Sequence, residues 1–282
     1  MIALPAEPTR NGTTPHPVAA RGGDPLEYVS VSRLKSFLSC RLRFYFEKVL
    51  AIPKPTSPAL HFGRAVHAAL QQFNKARWRG GDTSETAVIA AFGATFASPE
   101  PGQPVEWKDA DEPSELRAKG ENLLSAFLAA GVHPLDEKPM GVEVAVEAHH
   151  PDLALPLFGV LDLVKASRRV VDYKTCASTP GDLTLEAWLH EVQTTAYALL
   201  VEHATEAPGA GTDLVFLVKT KAPKIIVHPV EPPTQVQRDR FARLVEVYAT
   251  GVANEAYYPS PGQHCAWCSY RTECSAWKGG TA

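Results

Sequence analysis

The spacing of apolar residues changes once along this chain, and the change divides it in two. From residue 30 to residue 131 apolar positions recur at helical intervals. Leu34, Phe37, Leu38, Leu42, Tyr45, Phe46 and Val49 mark one helix over 30–50, with Ser30 or Ser32 as its N-cap. Pro53, Pro55 and Pro58 end it. Further helices are predicted over 60–79, 84–97 and 114–131, with a Pro- and acid-rich loop over 98–113. After Pro139 the period drops to two. Val142–Val146 alternates and reads as a strand, and Leu157–Lys165 and Arg169–Thr175 read as the next two. A long helix over 184–204 follows, with Leu185, Leu189, Val192, Ala196 and Leu199 as the stripe that packs on the sheet. Asp213–Lys219 and Lys224–Val230 form another strand pair, 234–250 a last helix, and a cysteine-rich loop closes the chain. This order predicts an α/β fold, a mixed central sheet flanked by helices with a helical N-terminal extension. Residues 1–27, rich in Pro, Gly, Thr and Ala without periodicity, are expected to be a disordered arm before a single domain over 28–282. Within it, 28–138 is the mainly helical part, 139–250 the α/β core and 251–282 the cysteine loop.

Composition narrows the class. Hydrophobic residues are 45% and charged residues 21%, as in a globular protein. No apolar run approaches the ~20 residues of a membrane helix, and no secretory leader is legible, so no membrane partner and a cytoplasmic location are expected. Five cysteines in such a chain point to metal-binding thiolates rather than disulfides. The net charge of −3 hides an asymmetry. Tyr28 to Arg79 carries ten Lys or Arg and one acid, whereas Gly80 to Glu147 carries thirteen acids and four Lys or Arg. The basic stretch is expected to face a polyanion, with Arg33, Lys35, Arg41, Arg43 and Arg64 as DNA-binding candidates.

Three features carry chemistry. If the strands around Asp162 and Asp172 form a tight hairpin centred on Ser167, positions summing to 334 face each other, and the two aspartates pair across it. Carboxylates placed so repel unless a divalent cation lies between them. Lys174 projects on the face of Asp172, suited to a phosphate or an attacking water. Gln193 and Tyr197, four apart on a helix, share a face. The third feature is Cys265-x2-Cys268-x5-Cys274, three thiolates on one loop whose fourth partner would be the distant Cys40. Four thiolates suit zinc and iron–sulfur clusters alike.

Taken together, these residues resemble the PD-(D/E)XK nucleases of the RecB family. The closer likeness is to the iron–sulfur branch, with AddB-type nuclease domains and the CRISPR-adaptation RecB-like exonucleases. The likeness spans roughly residues 28–278. It rests on Gly63-x3-His67, Gly159-x2-Asp162, Asp172-Tyr173-Lys174-Thr175, Gln193-x3-Tyr197 and the four cysteines. Arg41 departs from it, standing where the family usually has Pro, and Cys176 lies outside the pattern. The resemblance implies a restriction-endonuclease-like core with a C-terminal Fe–S cysteine loop. It implies a metal-dependent DNA exonuclease or end-processing nuclease, with Mg2+ or Mn2+ held by His67, Asp162, Asp172 and the Tyr173 carbonyl. Asp162, Asp172, Lys174, Gln193 and Tyr197 would then be catalytic, and Cys40, Cys265, Cys268 and Cys274 would hold a structural 4Fe–4S cluster. DNA, single-stranded or at duplex ends, is the implied partner, alongside a helicase or a recombination or adaptation protein, in DNA repair or recombination. No Gly-Lys dipeptide occurs, so no Walker A motor is expected in this chain. A catalytically inactive DNA-binding or adaptor module on the same fold is the alternative. An iron–sulfur redox protein is a third class, unsupported by any flavin or nicotinamide motif.

Overall fold

The computed structural model describes residues 23–280. Most of the expected N-terminal arm, residues 1–22, lies outside the described residues. The rest of it is held to the domain, since the Tyr248 hydroxyl donates to the Pro25 carbonyl at 2.9 Å.

Nine α-helices and five strands are found among the described residues. In chain order they are α1 (Val31–Ser39), α2 (Arg41–Phe44), α3 (Pro58–Arg79), α4 (Glu85–Phe96), α5 (Glu112–Ala129), β1 (Gly141–Ala148), β2 (Leu157–Val164), β3 (Val170–Cys176), α6 (Leu183–Leu189), α7 (Glu191–Thr205), β4 (Thr212–Val218), β5 (Lys224–Val230), α8 (Gln235–Ala253) and α9 (Arg271–Ala276). The strands lie in the order β1-β2-β3-β4-β5, antiparallel except that β3 and β4 run parallel. That parallel step needs a crossover, which α6 and α7 supply. Helix α3 packs on β1, β2 and β3 and α5 on β4 and β5, while α7 packs on β1, β2 and β4. Two cores result. Phe62, Val66, Leu70, Phe92, Leu123 and Leu217 fill the α3/α5 side, and Leu34, Phe37, Phe44, Leu161, Leu200 and Tyr248 the α7/α8 side.

Local signals explain most boundaries. Helix α3 starts where the Ser57 side chain accepts from the Leu60 amide with Pro58 at its first position, and stops at Gly80 in the left-handed region. Helix α8 opens with a Thr234–Gln237 capping box.

Two expected single helices are broken. The 30–50 helix is interrupted by Cys40, whose φ of −160° and ψ of 112° are extended, and it ends in a π-helical turn over Tyr45–Val49. The 184–204 helix is interrupted at His190. The break rotates α6 away from the sheet, so Leu185 and Leu189, expected in the packing stripe, are half exposed beside Trp188.

The expected Fe–S cysteine loop is a correction to the fold. The two ends of the chain do meet: Cys40, Cys265, Cys268 and Cys274 line one cavity of about 80 Å³. Among the described residues, however, no group of three or more His, Cys, Asp or Glu side chains is placed to hold a metal ion. All five cysteines are free. The Cys40 and Cys265 sulfurs accept from the backbone amides of Ser260 and Gly262, each at 3.5 Å. Burial, then the neighbouring thiols Cys40, Cys268 and Cys265, push the Cys274 thiol up, which favours the thiol over the ligating thiolate. Cys268 and Cys274 pack with Trp277 against the α7/α8 core as small apolar groups.

Candidate active site

The site forms where β2 and β3 part. Their ladder follows the expected register, Val164 opposite Val170 and Leu163 opposite Val171, and then ends. Asp162 and Asp172 would be the next pair. Instead, Asp162 Oδ2 accepts the Tyr173 backbone amide at 3.1 Å, a side chain standing in for a strand. The strands on either side show why. In β1, Val142 belongs to the α3/α5 core and Val144 to the α7/α8 core; in β2, Leu163 and Leu161 divide the same way. Simple alternation would keep each pair on one face. The switch falls at Glu143, whose φ is 53°, and at its opposite number Asp162. A left-handed glutamate costs about 1 kcal/mol or more, and it stands where both strands change face, with Asp162 toward α3.

On the α3 side, His67 Nδ1 lies 3.4 Å from Asp162 Oδ2. Burial alone would push the imidazole down, but the Asp162 carboxylate, with Asp172 and Glu143 behind it, carries it up to about 9. His67 is therefore protonated at neutral pH. Burial opposes ionisation of Asp162, yet the His67 charge and the Tyr173 amide bond hold its carboxyl below the usual range.

On the α7 side, Asp172 is 2% exposed, and its Oδ2, buried without a hydrogen bond, has only a charge contact there. Its Oδ2 contacts Lys174 Nζ at 2.8 Å, and its Oδ1 accepts from Gln193 Nε2 and the Tyr197 hydroxyl, both at 2.9 Å. Lys174 Nζ donates to Gln193 Oε1 at 2.8 Å, and Gln193 Nε2 also donates to the Tyr197 oxygen at 2.6 Å. Burial, then the charges of Asp172 and Asp162, raise the Tyr197 phenol well above its ordinary value, so it stays a donor. One turn of α7 separates Gln193 from Tyr197, and both reach the same carboxylate oxygen. The structure thus brings together Asp172, Lys174, Gln193 and Tyr197 in one network, and Asp162 and His67 in another beside it.

The residues expected to touch DNA scatter. Arg33 is buried; its guanidinium donates to the Tyr28 carbonyl at 2.9 Å and lies over the Tyr28 ring. Arg43 and Arg64 pair with Glu47 and Glu100 at 3.8 and 3.1 Å, and Arg41 lies over the rings of Phe37 and Tyr258. Lys35 differs. Burial and then the Lys174 charge lower its pKa, so the two ammonium groups feel one another across the site. His190, in the α6–α7 break, is shifted down by burial and then by Lys174 and Lys35. Sequence reasoning missed Glu143 and the buried pair Asn74 and His133. Only the positive φ at Glu143, a tertiary feature, singles the first out.

The divalent-cation expectation is also corrected. Asp162 and Asp172 do not converge on a shared centre with His67, and no metal-holding group of three is found among the described residues. The donor set does not fit Mg2+ or Mn2+, and we route no step through either. Among the described residues no helix is long and apolar enough to cross a membrane.

Comparison with known proteins agrees at the level of the fold. A crystal structure described as that of a "Putative exonuclease" from Eubacterium rectale aligns over 96% of this chain and 97% of that chain, at 15% identity and a TM-score of 0.60. A second, of SSO0001, covers 87% of this chain and 93% of that chain at 14% identity, but its TM-score of 0.38 is too low to carry an argument. No curated protein matches. The model of the PD-(D/E)XK nuclease superfamily matches residues 28–275. Nothing in these likenesses separates out the iron–sulfur branch, and the cysteine cavity does not supply it, so the closer kinship expected from the cysteine pattern is withdrawn. With the mixed sheet, the parted β2 and β3 and the Asp172-Tyr173-Lys174 strand in place, the chain belongs to the PD-(D/E)XK nuclease superfamily.

Proposed function

We propose that this chain is a deoxyribonuclease that hydrolyses phosphodiester bonds, acting as an exonuclease on DNA ends. The observation that supports the reading best is the Asp172–Lys174–Gln193–Tyr197 network beside the Asp162–His67 pair. Phosphodiester hydrolysis needs positive charge where negative charge grows on the phosphoryl oxygens, and it needs that charge held in place beforehand. Lys174 supplies it. Asp172 and Gln193 grip the ammonium from two directions, so it does not reorganise during the reaction. Protonated His67 is a second cation on the other side of the strand parting. Asp162 and Asp172 keep both cations charged, and Tyr197 with Gln193 fixes the orientation of Asp172. Lys35 extends the positive face toward the incoming backbone.

The test is digestion of end-labelled single- and double-stranded DNA, in buffers with and without divalent cations, by the wild type and by Lys174→Ala. Stepwise shortening from an end by the wild type, lost in the variant, is expected. Wild-type protein that binds DNA but leaves every substrate intact in all buffers would reject the reading in favour of a binding module.

A further inference from the structure

Tyr173 sits between the two acids of the site, and its side chain points away from both. The ring enters the α3/α5 core and is 2% exposed. At its tip the hydroxyl meets two polar side chains. Asn74 Nδ2 donates to it at 2.9 Å, and His133 Nε2 lies 2.8 Å from it. An amide N–H needs the phenol oxygen as acceptor, which leaves the phenol proton for the imidazole. Asn74 is 0% and His133 5% exposed. The remaining side-chain atoms of both, Asn74 Oδ1 and His133 Nδ1, are buried without a hydrogen-bond partner. Each is therefore held by its bond to Tyr173. Buried polar side chains so poorly repaid elsewhere are rare in a core of Phe, Leu and Val.

Their placement gives them a task. Asn74 follows His67 by seven residues on α3, two turns on and on the same stripe. The Tyr173 backbone amide holds Asp162, and Asp162 faces His67. A closed circuit results: from His67 to Asp162, to the Tyr173 amide, through the ring to its hydroxyl, to Asn74 and back along α3. His133 closes the third side, and Arg77 Nη1 donates to the Pro134 carbonyl at 2.8 Å, fixing the segment after α5 to the same helix. We infer that Asn74 and His133 are positioning residues, which clamp the Tyr173 hydroxyl and so set the register of α3 on β3 that brings His67 to Asp162. Neither touches the reacting groups. The part of this inference that concerns cleavage rests on the nuclease reading; the part that concerns the His67–Asp162 contact does not.

Two readouts on the full chain separate them. The Tyr173→Phe variant removes one oxygen and keeps the ring; Asn74→Leu is the second variant, should the first not fold. In a folded variant the 15N signals of the His67 imidazole are expected to move, because its contact with Asp162 loosens. On DNA, kcat is expected to fall about tenfold with KM within about twofold, since a misplacement acts on the transition state more than on binding. Unchanged His67 signals in a folded variant overturn the clamp whatever the kinetics. Moved signals with unchanged kcat overturn its role in cleavage. A wild type without nuclease activity leaves the imidazole signals to decide the clamp alone.

Discussion

The two aspartates of the site share a motif and little else. Asp172 is 2% exposed and gripped by a lysine, an amide and a phenol. Asp162 has one backbone amide and a histidine whose side chain is 36% exposed. The first is a closed network whose members hold each other in one geometry. The second is an ion pair at the edge of solvent whose strength depends on the protonation of His67. The strand β3 supports both arrangements, because Asp172 and Lys174 face α7 while the Tyr173 amide reaches across to Asp162 on β2. The lesson is that rigidity and pH response can sit side by side when a ladder ends between them.

The comparison can be broken most sharply at Lys174. Lys174→Ala and Asp172→Asn are each expected to lower the cleavage rate by about 10²–10⁴-fold, the range for losing a preorganised charge or a proton-transfer group. Rates within threefold of wild type in either would remove the network from the chemistry. Stability separates the two acids next. Asp172→Ala leaves Lys174, 24% exposed, without its counter-charge, and is expected to cost about 3 kcal/mol in urea denaturation. His67→Ala should cost less, on the order of 1 kcal/mol, because the side chain removed is 36% exposed and the Asp162 left behind keeps its bond from the Tyr173 amide. Equal losses would mean that the two regions do not differ as described.

A smaller effect should appear with pH. His67 is raised, so its contribution to stability is complete below its unfolded value of about 6.5 and fades as pH rises through about 9. Asp162 is lowered, so its contribution is present above the ordinary carboxylate value and fades as pH falls through its depressed one. Denaturation midpoints measured from pH 5 to 10 should decline at the alkaline end, and His67→Ala should flatten that decline. An alkaline limb that survives the substitution assigns it to other groups. The smallest effect is expected on binding. Lys35→Ala should reduce the salt slope for single-stranded DNA by about 0.7. Arg33→Ala should act through stability instead, as its guanidinium is spent on backbone carbonyls. A slope unchanged by Lys35→Ala would place the DNA path elsewhere.

Much of the fold was legible. The drop in period after Pro139 located the sheet, and β5 and α3 fall close to their expected limits because Gly80, Ser57 and the proline runs act within a turn of where they stand. The hairpin register was legible too, since a turn centred on Ser167 leaves one pairing for Val164 and Val170. The breaks at Cys40 and His190 were not. A helical stripe continues through a one-residue break, so periodicity carries no trace of it, and Leu185 and Leu189 ended outside the packing. The cysteine spacing correctly brought Cys40 to the C-terminal loop. It did not establish a metal centre, because spacing records which thiols can meet and not whether they meet as thiolates around one point.

What the sequence determined by itself was the set of polar residues on the strands and on α7, for side chains two apart on a strand and four apart on a helix must share a face. That is how Asp172 with Lys174, and Gln193 with Tyr197, could be grouped from spacing alone. What only the tertiary structure decided was the partner of each. Asp162 met His67 rather than Asp172 where β1 and β2 change face together, at the left-handed Glu143 and beside Asp162, and Tyr173 met Asn74 and His133 because α3 and the segment after α5 close over the sheet. These contacts join residues up to about a hundred positions apart, and local periodicity, which acts over a few residues, has no means to record them.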